Sequence, residues 1–307
     1  MKLRKTAAVA AVVVALAASA TACGKDRDTD DGKKADPGAG SSAPAVPTYK
    51  VNTAADVKGS PVFEKIKGKK ITIGTKADQP FLGFENPSDK TRSGFDVEIA
   101  RMIAADLGFD KDHITFKTVP SESRETQIAN GGVDLYVGTY TINDERKKQI
   151  DFGGPYYIAG QDLLVKKDSD IKGPDDVKGK KVCSATGSTP LKRIKEAKYG
   201  AKEVKAQQGY QLCVQELING TVDAVTTDDA ILKGYAAQNK GALKVVGNPF
   251  SKEPYGVGLK KGDKALRDAV NNALEAHMKN GDWKKAYDAT LGQSGAAAQE
   301  PPAVDRY

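Results

Sequence analysis

Histidine is nearly absent from this sequence of 307 residues, which contains only His113 and His277. Neither one has a cysteine or second histidine at the spacing of a metal site, so the sequence predicts no metal centre and no cofactor. No combination of serine, histidine and aspartate indicates nucleophilic catalysis. We therefore expect no catalytic residues and no enzyme, although the abundant carboxylates leave paired acid–base chemistry open.

A strong charge of one sign is also missing. The 47 Lys and Arg residues against 40 Asp and Glu residues give a net charge of +7, and +4 remains without Lys2, Arg4 and Lys5 near the N-terminus. No dense basic face with interleaved aromatic residues is visible. Because nucleic-acid binding depends on such a concentrated positive surface, we expect no nucleic-acid partner.

The sequence has one long apolar run, from Ala7 to Ala20, and it is shorter than the roughly 20 residues of a membrane-spanning helix. A run of this length behind three cations is typical of a secretory signal. It ends in Ala20-Thr21-Ala22-Cys23-Gly24, which resembles a bacterial lipobox with Ala20 where leucine is usual. The resemblance implies a signal peptide over 1–22 and an acyl chain such as palmitate on Cys23, anchoring the protein to the outer face of the cell membrane. A plain signal cleaved nearby, or a transmembrane anchor, is the alternative.

Large apolar residues are scarce between residues 23 and 60 and again between residues 293 and 307. Such segments bury too little surface to offset the entropy lost on ordering. The composition therefore predicts a flexible tether over 23–60 and a disordered tail over 293–307.

Cysteine is limited to three residues. If Cys23 is acylated, Cys183 and Cys213 form an even pair, which predicts a disulfide in an exported chain. Closing this 30-residue loop is worth roughly 3–4 kcal/mol in the chain-entropy model. Two buried free thiols are the alternative.

Short β runs alternate with helical patterns between residues 61 and 291. This alternation predicts α/β units around a mainly parallel sheet. The predicted strands are 71–75, 114–119, 133–138, 181–183 and 222–225. The predicted helices are 94–107, 122–130, 190–198, 211–219 and 264–279.

Polar residues follow four of these strands. Lys76 follows the first strand, 139–146 follow the strand at 133–138, 184–189 follow the strand at 181–183, and Asp228 follows the strand at 222–225. Ligands of open α/β sheets bind at the carboxyl ends of strands. The sequence therefore predicts a binding site where these four strand ends meet.

Four sequence blocks occur in a specific order within residues 61–291. They read GFDVEIARMIA at 94–104, TYTINDERKKQIDF at 139–152 before Pro155-Tyr156-Tyr157, SATGS at 184–188 and VDAVTTD at 222–228. Together they resemble the polar amino-acid-binding proteins of ABC importers, solute-binding family 3. The sequence is most similar to actinobacterial glutamate-binding lipoproteins through Gly74-Thr75-Lys76, Asp78-Gln79-Pro80 and the pair Cys183 and Cys213.

The resemblance implies an α/β, periplasmic-binding-protein-like fold with two lobes, two hinge strands and a ligand in the cleft. Lobe 1 would comprise 61–158 plus 254–291, and lobe 2 would comprise 161–250. The chain would cross between them near 158–160 and 252–254.

The resemblance also implies a role for individual residues. Arg146 would hold the ligand α-carboxylate, for which a guanidinium offers a fixed fork of donors, and Asn143 would cap the helix that carries it. Thr141 would reach the same carboxylate, and Thr139 would lie near the ligand amine. The alternative for Arg146 is a surface arginine paired with Asp144 or Glu145.

From lobe 2, Gly187 and Ser188 would close on the carboxylate through N–H groups, ahead of Thr189-Pro190 as helix cap and first residue. Asp228 would receive the ligand ammonium, with Asp229 as the alternative. Phe95 would pack against the ligand, or else it is a core residue of its helix.

Lys76 would decide the substrate. Many relatives have an acidic residue at this place, whereas a lysine can pair with a side-chain carboxylate and repels cationic ligands. This favours glutamate, then aspartate, with glutamine possible through its amide oxygen. A solvated lysine is the alternative.

The expected function is therefore an extracytoplasmic, monomeric lipoprotein that binds glutamate by cleft closure and delivers it to an ABC permease. A ligand-sensing subunit of a signalling system is the alternative, and an enzyme on this fold is a further one.

Overall fold

A computed structural model describes residues 45–307. The predicted signal peptide, the lipidated Cys23 and the first part of the predicted tether lie outside the described residues. Within residues 45–307, no helix has the length and apolar character needed to cross a bilayer.

Strands and helices alternate along the described chain much as the sequence predicts. The strands are β1 Ile71–Thr75, β2 Asp78–Gln79, β3 Gly83–Glu85, β4 Arg92–Ser93, β5 Ile114–Thr118, β6 Leu135–Tyr136, β7 Ile150–Ala159, β8 Gln161–Lys166, β9 Lys181–Ala185, β10 Glu203–Gln207, β11 Ala224–Asp228, β12 Leu243–Val245 and β13 Glu253–Lys260. The helices are α1 Pro61–Ile66, α2 Phe95–Asp106, α3 Arg124–Ala129, α4 Asp144–Lys147, α5 Thr189–Ile194, α6 Tyr210–Ile218, α7 Asp229–Gln238, α8 Lys264–Asn280 and α9 Asp282–Ala289.

The best-predicted helices have clear sequence signals at their ends. Helix α2 follows Gly94, where φ is +114° and a Cβ would lie 2.3 Å from the carbonyl oxygen of Leu82, so this position requires glycine. Helix α8 begins after Asp263, whose carboxylate accepts the N–H of Leu266, and ends at Gly281 in the left-handed region.

Two five-stranded sheets form two lobes. Lobe 1 has the order β5-β1-β6-β13-β7, and lobe 2 has the order β10-β9-β11-β8-β12, while β2, β3 and β4 form a small separate sheet. In lobe 1, β1 runs parallel to β5 and β6, but β13 is antiparallel to β6 and β7. In lobe 2, β9 runs parallel to β10 and β11, but β8 is antiparallel to β11 and β12. Each sheet is thus mixed rather than mainly parallel, because strands that lead between the lobes join it without a helical crossover.

Strands β7 and β13 form the hinge. They pair with each other from Glu253–Ala159 to Lys260–Ile150, and β7 leads through Gly160 directly into β8 of lobe 2. The prediction of a two-lobed fold with two hinge strands is confirmed.

The predicted disulfide joins the two cysteines of lobe 2. Cys183 on β9 is bonded to Cys213 on α6, and both residues are fully buried. The prediction is confirmed, and the bond holds α6 against the strand that leads to residues 186–188.

The segment predicted as a disordered tail lies against lobe 1. The N–H of Asp305 donates to the carbonyl of Gly154 on β7 at 2.9 Å, and the hydroxyl of Tyr307 accepts the N–H of Phe152 at 2.8 Å. Arg306 forms two hydrogen bonds with Glu275, at 3.0 and 2.8 Å. This corrects the prediction of disorder, because β7 is an edge strand whose unpaired backbone groups bind the segment, and composition does not reveal such partners.

The last part of the predicted tether is also packed on lobe 1. Asn52 donates its N–H to the carbonyl of Ala105 at 2.9 Å, and the hydroxyl of Ser60 donates to Asp263 at 2.7 Å. The folded domain therefore begins before residue 61. These polar contacts act together with Tyr49, Ala55 and Val57, which pack partly buried against the hydrophobic core.

Candidate functional site

A small cavity lies between the two lobes where the strand ends meet. Lobe 1 contributes Ser121, Arg124, Thr139, Thr141 and Arg146 to its wall. Lobe 2 contributes Ser188, Thr189, Pro190, Tyr210, Asp228 and Ile231. The predicted convergence of strand ends is thus observed, and most of the side chains that line the cavity are polar.

Arg146 is presented by the short helix α4. Asn143 caps this helix by accepting the N–H of Arg146 at 2.9 Å, as predicted. The buried guanidinium donates from Nη1 to the carbonyl of Thr141 at 2.6 Å and from Nε to Glu125 at 3.1 Å. Its Nη2 donates across the cleft to the carbonyl of Gly187 at 3.3 Å. The surface arginine considered as an alternative is therefore excluded.

Arg124 is a second buried arginine in this cavity and was not predicted from the sequence. Its guanidinium lies 4.2 Å from the centre of the Tyr140 ring and donates from Nε to the carbonyl of Ser121 at 3.0 Å. Its Nη2 donates to Gly187, the same carbonyl that Arg146 contacts, at 3.3 Å. The signal was available, because Ser121 and Arg124 follow β5, a fifth strand whose carboxyl end points to the same edge.

Lys76 lies behind Ser121 of the cavity wall and is buried rather than solvated. Its Nζ donates to the hydroxyl of Ser121 at 2.7 Å. Burial first, and then the positive charge of Arg124, lowers the pKa of Lys76 to about 7. A nearby carboxylate would favour its charged form.

Asp228, the last residue of β11, and Asp229, the first residue of α7, have different environments. Asp228 lines the cavity, and its Oδ2 accepts the hydroxyl of Tyr255 at 2.7 Å, while Oδ1 is buried without a hydrogen-bond partner among residues 45–307. Asp229 instead accepts the N–H of the hinge residue Gly160 at 3.1 Å and pairs with Lys233. The structure thus brings Asp228, rather than Asp229, to the cavity.

Burial strongly raises the pKa of Asp228. It is the main reason why the pKa of Asp228 is raised to about 8, and the negative charge of Glu253 is the second. An ammonium group beside Asp228 would restore its ionised form.

Thr139 and Thr141 are part of the cavity wall that lobe 1 contributes. Thr139 has φ of +46°, and its N–H donates to Oδ2 of Asp96 at 3.0 Å. Asp96 is fully buried and also accepts the hydroxyl of Tyr156 at 2.6 Å; burial raises its pKa to about 6. Asp96 therefore positions the backbone of Thr139, a role that the sequence analysis did not assign.

Gly187 and Ser188 approach the cavity from lobe 2. Ser188 lines the cavity and caps α5, since its hydroxyl accepts the N–H of Leu191 at 3.1 Å. The cap is thus one residue earlier than the predicted Thr189-Pro190. Gly187 lies at the rim, where its carbonyl accepts hydrogen bonds from both arginines.

Phe95 does not reach the cavity, which corrects the expectation that it packs against a ligand. It is fully buried in the core of lobe 1, with its ring centre 5.3 Å from that of Trp283 and 6.0 Å from that of Tyr157. The apolar face of α2 points to this core, so the alternative of a core helix residue describes its position.

Known proteins are similar to this chain in sequence and in fold. The model of the bacterial extracellular solute-binding proteins, family 3, matches residues 71–293. The glutamate-binding protein GluB of Corynebacterium efficiens is 40% identical over 255 residues, which cover 79% of this chain and 85% of the relative. The glutamine-binding protein GlnH of Bacillus subtilis is 39% identical over 249 residues, which cover 81% of this chain and 88% of the relative.

Solved structures with the same fold are also amino-acid-binding proteins. An ancestral arginine-binding protein bound to glutamine is 38% identical, with a TM-score of 0.68 over 73% of this chain and 98% of that one. The predicted resemblance is confirmed, and so is the expectation of a binding protein rather than an enzyme. The chain belongs to the bacterial extracellular solute-binding proteins, family 3.

Proposed function

We propose that this protein is the substrate-binding lipoprotein of an ABC amino-acid importer and that it binds glutamate by closing its two lobes. The observation that carries the proposal is the set of charges around one cavity. Arg124, Arg146 and Asp228 line this cavity, and Lys76 lies next to it, where its Nζ donates to Ser121 of the cavity wall. Glutamate has the complementary pattern of two carboxylates and one ammonium.

Each end of glutamate has a suitable partner. Arg146 and the backbone of Thr141 and Ser188 would hold the α-carboxylate, because a guanidinium bonds a carboxylate through two parallel N–H donors. Asp228 would accept the α-ammonium. The neutral carbonyl of Gly187 would be replaced as acceptor by the α-carboxylate at Arg146 and by the side-chain carboxylate at Arg124. Charge-assisted hydrogen bonds are the stronger ones.

The side-chain carboxylate would lie between Lys76, Arg124 and Ser121. Glutamine would present a neutral amide to these two cations and aspartate would reach them less well, so we expect both to bind more weakly. Arginine and histidine would bring a positive side chain towards buried positive charge.

The energy required is compatible with these contacts. Glutamate has about ten heavy atoms, and a micromolar Kd corresponds to about −8 kcal/mol, or roughly −0.8 kcal/mol per atom. That value lies within the range of very small ligands. Few apolar side chains line the cavity, so paired charges must supply most of it.

Contacts between the lobes support a closing mechanism. Lys192 of lobe 2 pairs with Glu145 of lobe 1 at 2.6 Å, and Asp228 bonds Tyr255 on the hinge strand. A ligand that bridges Arg146 and Asp228 would bind the closed form better than the open form, and so would shift the population towards closure. We propose that 61–158 with 254–291 and 161–250 move as the two units.

The relatives support an amino-acid ligand. Two of them are named glutamate-binding and glutamine-binding proteins, and solved relatives contain arginine or glutamine. We further propose that the protein acts as an extracytoplasmic monomer held at the membrane by an acyl chain on Cys23 and that its partner is an ABC permease.

Calorimetric titration of the chain without its first 23 residues tests the proposal. We expect a micromolar or lower Kd for glutamate, weaker binding of aspartate and glutamine, and no heat with arginine. Lys76→Met should reduce the preference for glutamate over glutamine by at least about tenfold, while the exposed Lys178→Met should leave it unchanged. Binding of arginine or an apolar amino acid in place of glutamate would contradict the proposal.

A further inference from the structure

Tyr235 on α7 of lobe 2 forms a hydrogen bond with lobe 1. The residue is buried, and its hydroxyl donates to the backbone carbonyl oxygen of Asp78 on β2 at 2.5 Å. The same hydroxyl lies 3.4 Å from Oδ2 of Asp78. Because Asp78 belongs to lobe 1 and Tyr235 to lobe 2, this hydrogen bond joins the two units that would move in the proposed closure.

Asp78 also caps helix α6 of lobe 2. The helix begins after Gly209, which has no side chain to cap it, and Oδ2 of Asp78 accepts the N–H of Gln211 at 3.4 Å. A carboxylate at this place satisfies an N–H group that has no acceptor within the helix. A Cβ on Gly209 would lie 2.7 Å from the same Oδ2, so the bare backbone lets Asp78 approach. The cap of α6 thus comes from the other lobe.

Gly234, the neighbour of Tyr235, shows how closely the two lobes fit here. It lies inside α7, where glycine is less favourable for helix stability than alanine, and its backbone does not require glycine. A Cβ on Gly234 would lie 2.6 Å from the backbone carbonyl oxygen of Pro80 in lobe 1. The approach of lobe 1, rather than the conformation of α7, therefore excludes a side chain at this position.

The segment that lobe 1 contributes, residues 76–80, also reaches the cavity wall. Nζ of Lys76 donates to Ser121 at 2.7 Å, and the side-chain oxygen of Gln79 accepts the hydroxyl of Thr139 at 3.2 Å. Residues 76–80 thus contact the cavity wall and, through Asp78 and Pro80, lobe 2. Tyr235 and Gly234 themselves do not line the cavity.

We propose that Tyr235 is a positioning residue that holds residues 78–80 of lobe 1 against lobe 2 in the ligand-bound form and so slows the release of the ligand. This inference rests on the proposed function, because it requires the lobes to close on an amino acid. The ligand leaves after the lobes open, so a hydrogen bond present only in the closed form must break first. Its loss affects the dissociation rate rather than the association rate.

Tyr235→Phe tests the hydrogen bond, because it removes one hydroxyl from a buried ring and keeps the shape of the side chain. Stopped-flow fluorescence of the chain without its first 23 residues gives both rate constants. We expect dissociation of glutamate to be at least about fivefold faster, with association changed by less than about twofold. Glutamine should dissociate faster by the same factor, because Tyr235 contacts neither ligand.

Tyr287→Phe is the matched control. Tyr287 is also buried, and its hydroxyl donates to the carbonyl oxygen of Ala297 at 2.6 Å, without any contact with lobe 2 through that group. This variant should lose thermal stability to a similar extent, while both rate constants for glutamate stay at the wild-type values. A purely structural role of Tyr235 predicts the same behaviour for Tyr235→Phe.

Gly234→Ala tests the close fit by a different measurement. Alanine favours the helix, and Pro80 lies away from α7 when the lobes are open, so the melting temperature of the ligand-free protein should rise. The added methyl group blocks the contact with Pro80 in the closed form, so glutamate affinity in calorimetry should fall by at least about tenfold. General damage to the fold would lower both stability and affinity.

Two results would overturn the inference. One is a dissociation rate in Tyr235→Phe equal to that of the wild type or of Tyr287→Phe. The other is a ligand-free Gly234→Ala protein that melts at or below the wild-type temperature, which would show that Pro80 and α7 stay in contact when the lobes open. If Tyr235→Phe does not fold, Gly234→Ala decides. A wild-type protein that binds glutamine but not glutamate would contradict the proposed ligand only, and the same variants would then be measured with glutamine.

Discussion

Gly187 of lobe 2 lies against the backbone of Glu122 of lobe 1, so closely that a Cβ on Gly187 would lie 2.5 Å from the Cα of Glu122. Gly187 also has φ of +75°, a conformation that costs other residues roughly 1–2 kcal/mol. The loop that brings Ser188 to the cavity therefore meets lobe 1 through bare backbone. Closure depends on the absence of a side chain at this position.

Gly187→Ala should reduce glutamate affinity by at least about 100-fold, because the added methyl blocks closure. Gly179→Ala is the matched control, since Gly179 is also exposed on lobe 2 with φ of +73° but has nothing within 4 Å of the added carbon. The two variants should lose similar thermal stability without ligand, while Gly179→Ala keeps its affinity. Equal affinities of both variants in calorimetry would show that Gly187 does not touch lobe 1 in the closed form.

Arg146→Lys should weaken glutamate binding by about tenfold or more, and Arg146→Ala by about 100-fold or more. The lysine keeps the charge but loses the planar fork that bonds a carboxylate twice. Titration calorimetry at fixed pH measures both. Arg306→Lys is the matched control, because Arg306 forms two hydrogen bonds with Glu275 at an exposed site away from the cavity. It should leave the Kd for glutamate unaltered. Full affinity for glutamate in Arg146→Lys would show that a single positive charge is enough to bind the α-carboxylate and that the planar fork of donors is not needed.

Lys76→Met should stabilise the ligand-free protein while it weakens glutamate binding. Because the pKa of Lys76 is lowered to about 7 in the folded state, the unfolded chain binds more protons between about pH 7 and pH 10.5, and wild-type stability from this group rises with pH there. Its destabilising effect is fully present below about pH 7.

The gain in Lys76→Met should therefore be at least about 1 kcal/mol at pH 6 and smaller at pH 9.5, as measured by urea unfolding at the two pH values. Lys178→Met, at an exposed site, should show no such pH-dependent gain. A gain that grows with pH would contradict the assigned burial of the ammonium group.

Asp305→Pro should destabilise lobe 1 by about 1 kcal/mol, because it removes the N–H that Asp305 donates to the carbonyl of Gly154. Asp305→Ala keeps that N–H and should unfold at the wild-type temperature. Differential scanning calorimetry of the two variants separates a bound segment from a disordered one. If both melt like the wild type, the segment does not contribute to the stability of lobe 1.

Local signals in the sequence predicted strands β1, β5, β6, β9 and β11 and helices α2, α3, α5, α6 and α8. The apolar period of α2 between Gly94 and Gly108, and the Asp263 and Gly281 ends of α8, are short-range features that depend on neighbours in the chain. Strands β8 and β13 were not among the predicted strands, and their antiparallel pairing makes each sheet mixed. A local pattern does not reveal which sheet a strand joins or in which direction. Polar contacts made over long sequence distances, such as Ser60 with Asp263, were invisible for the same reason.

The sequence by itself determined the family, the alternating α/β pattern and the strand ends that carry Lys76, Arg146 and Asp228. These features depend on the order of short motifs and on the change from strand to loop, which neighbouring residues in the chain specify. Only the tertiary structure decided which side chains face the cavity. In that structure Phe95 lies in the core, Arg124 lines the cavity, and Asp228 lines the cavity while Asp229 bonds the hinge residue Gly160. Burial and the charge of neighbours distant in the chain set these roles and the pKa of each group, and both arise only when the lobes fold and meet.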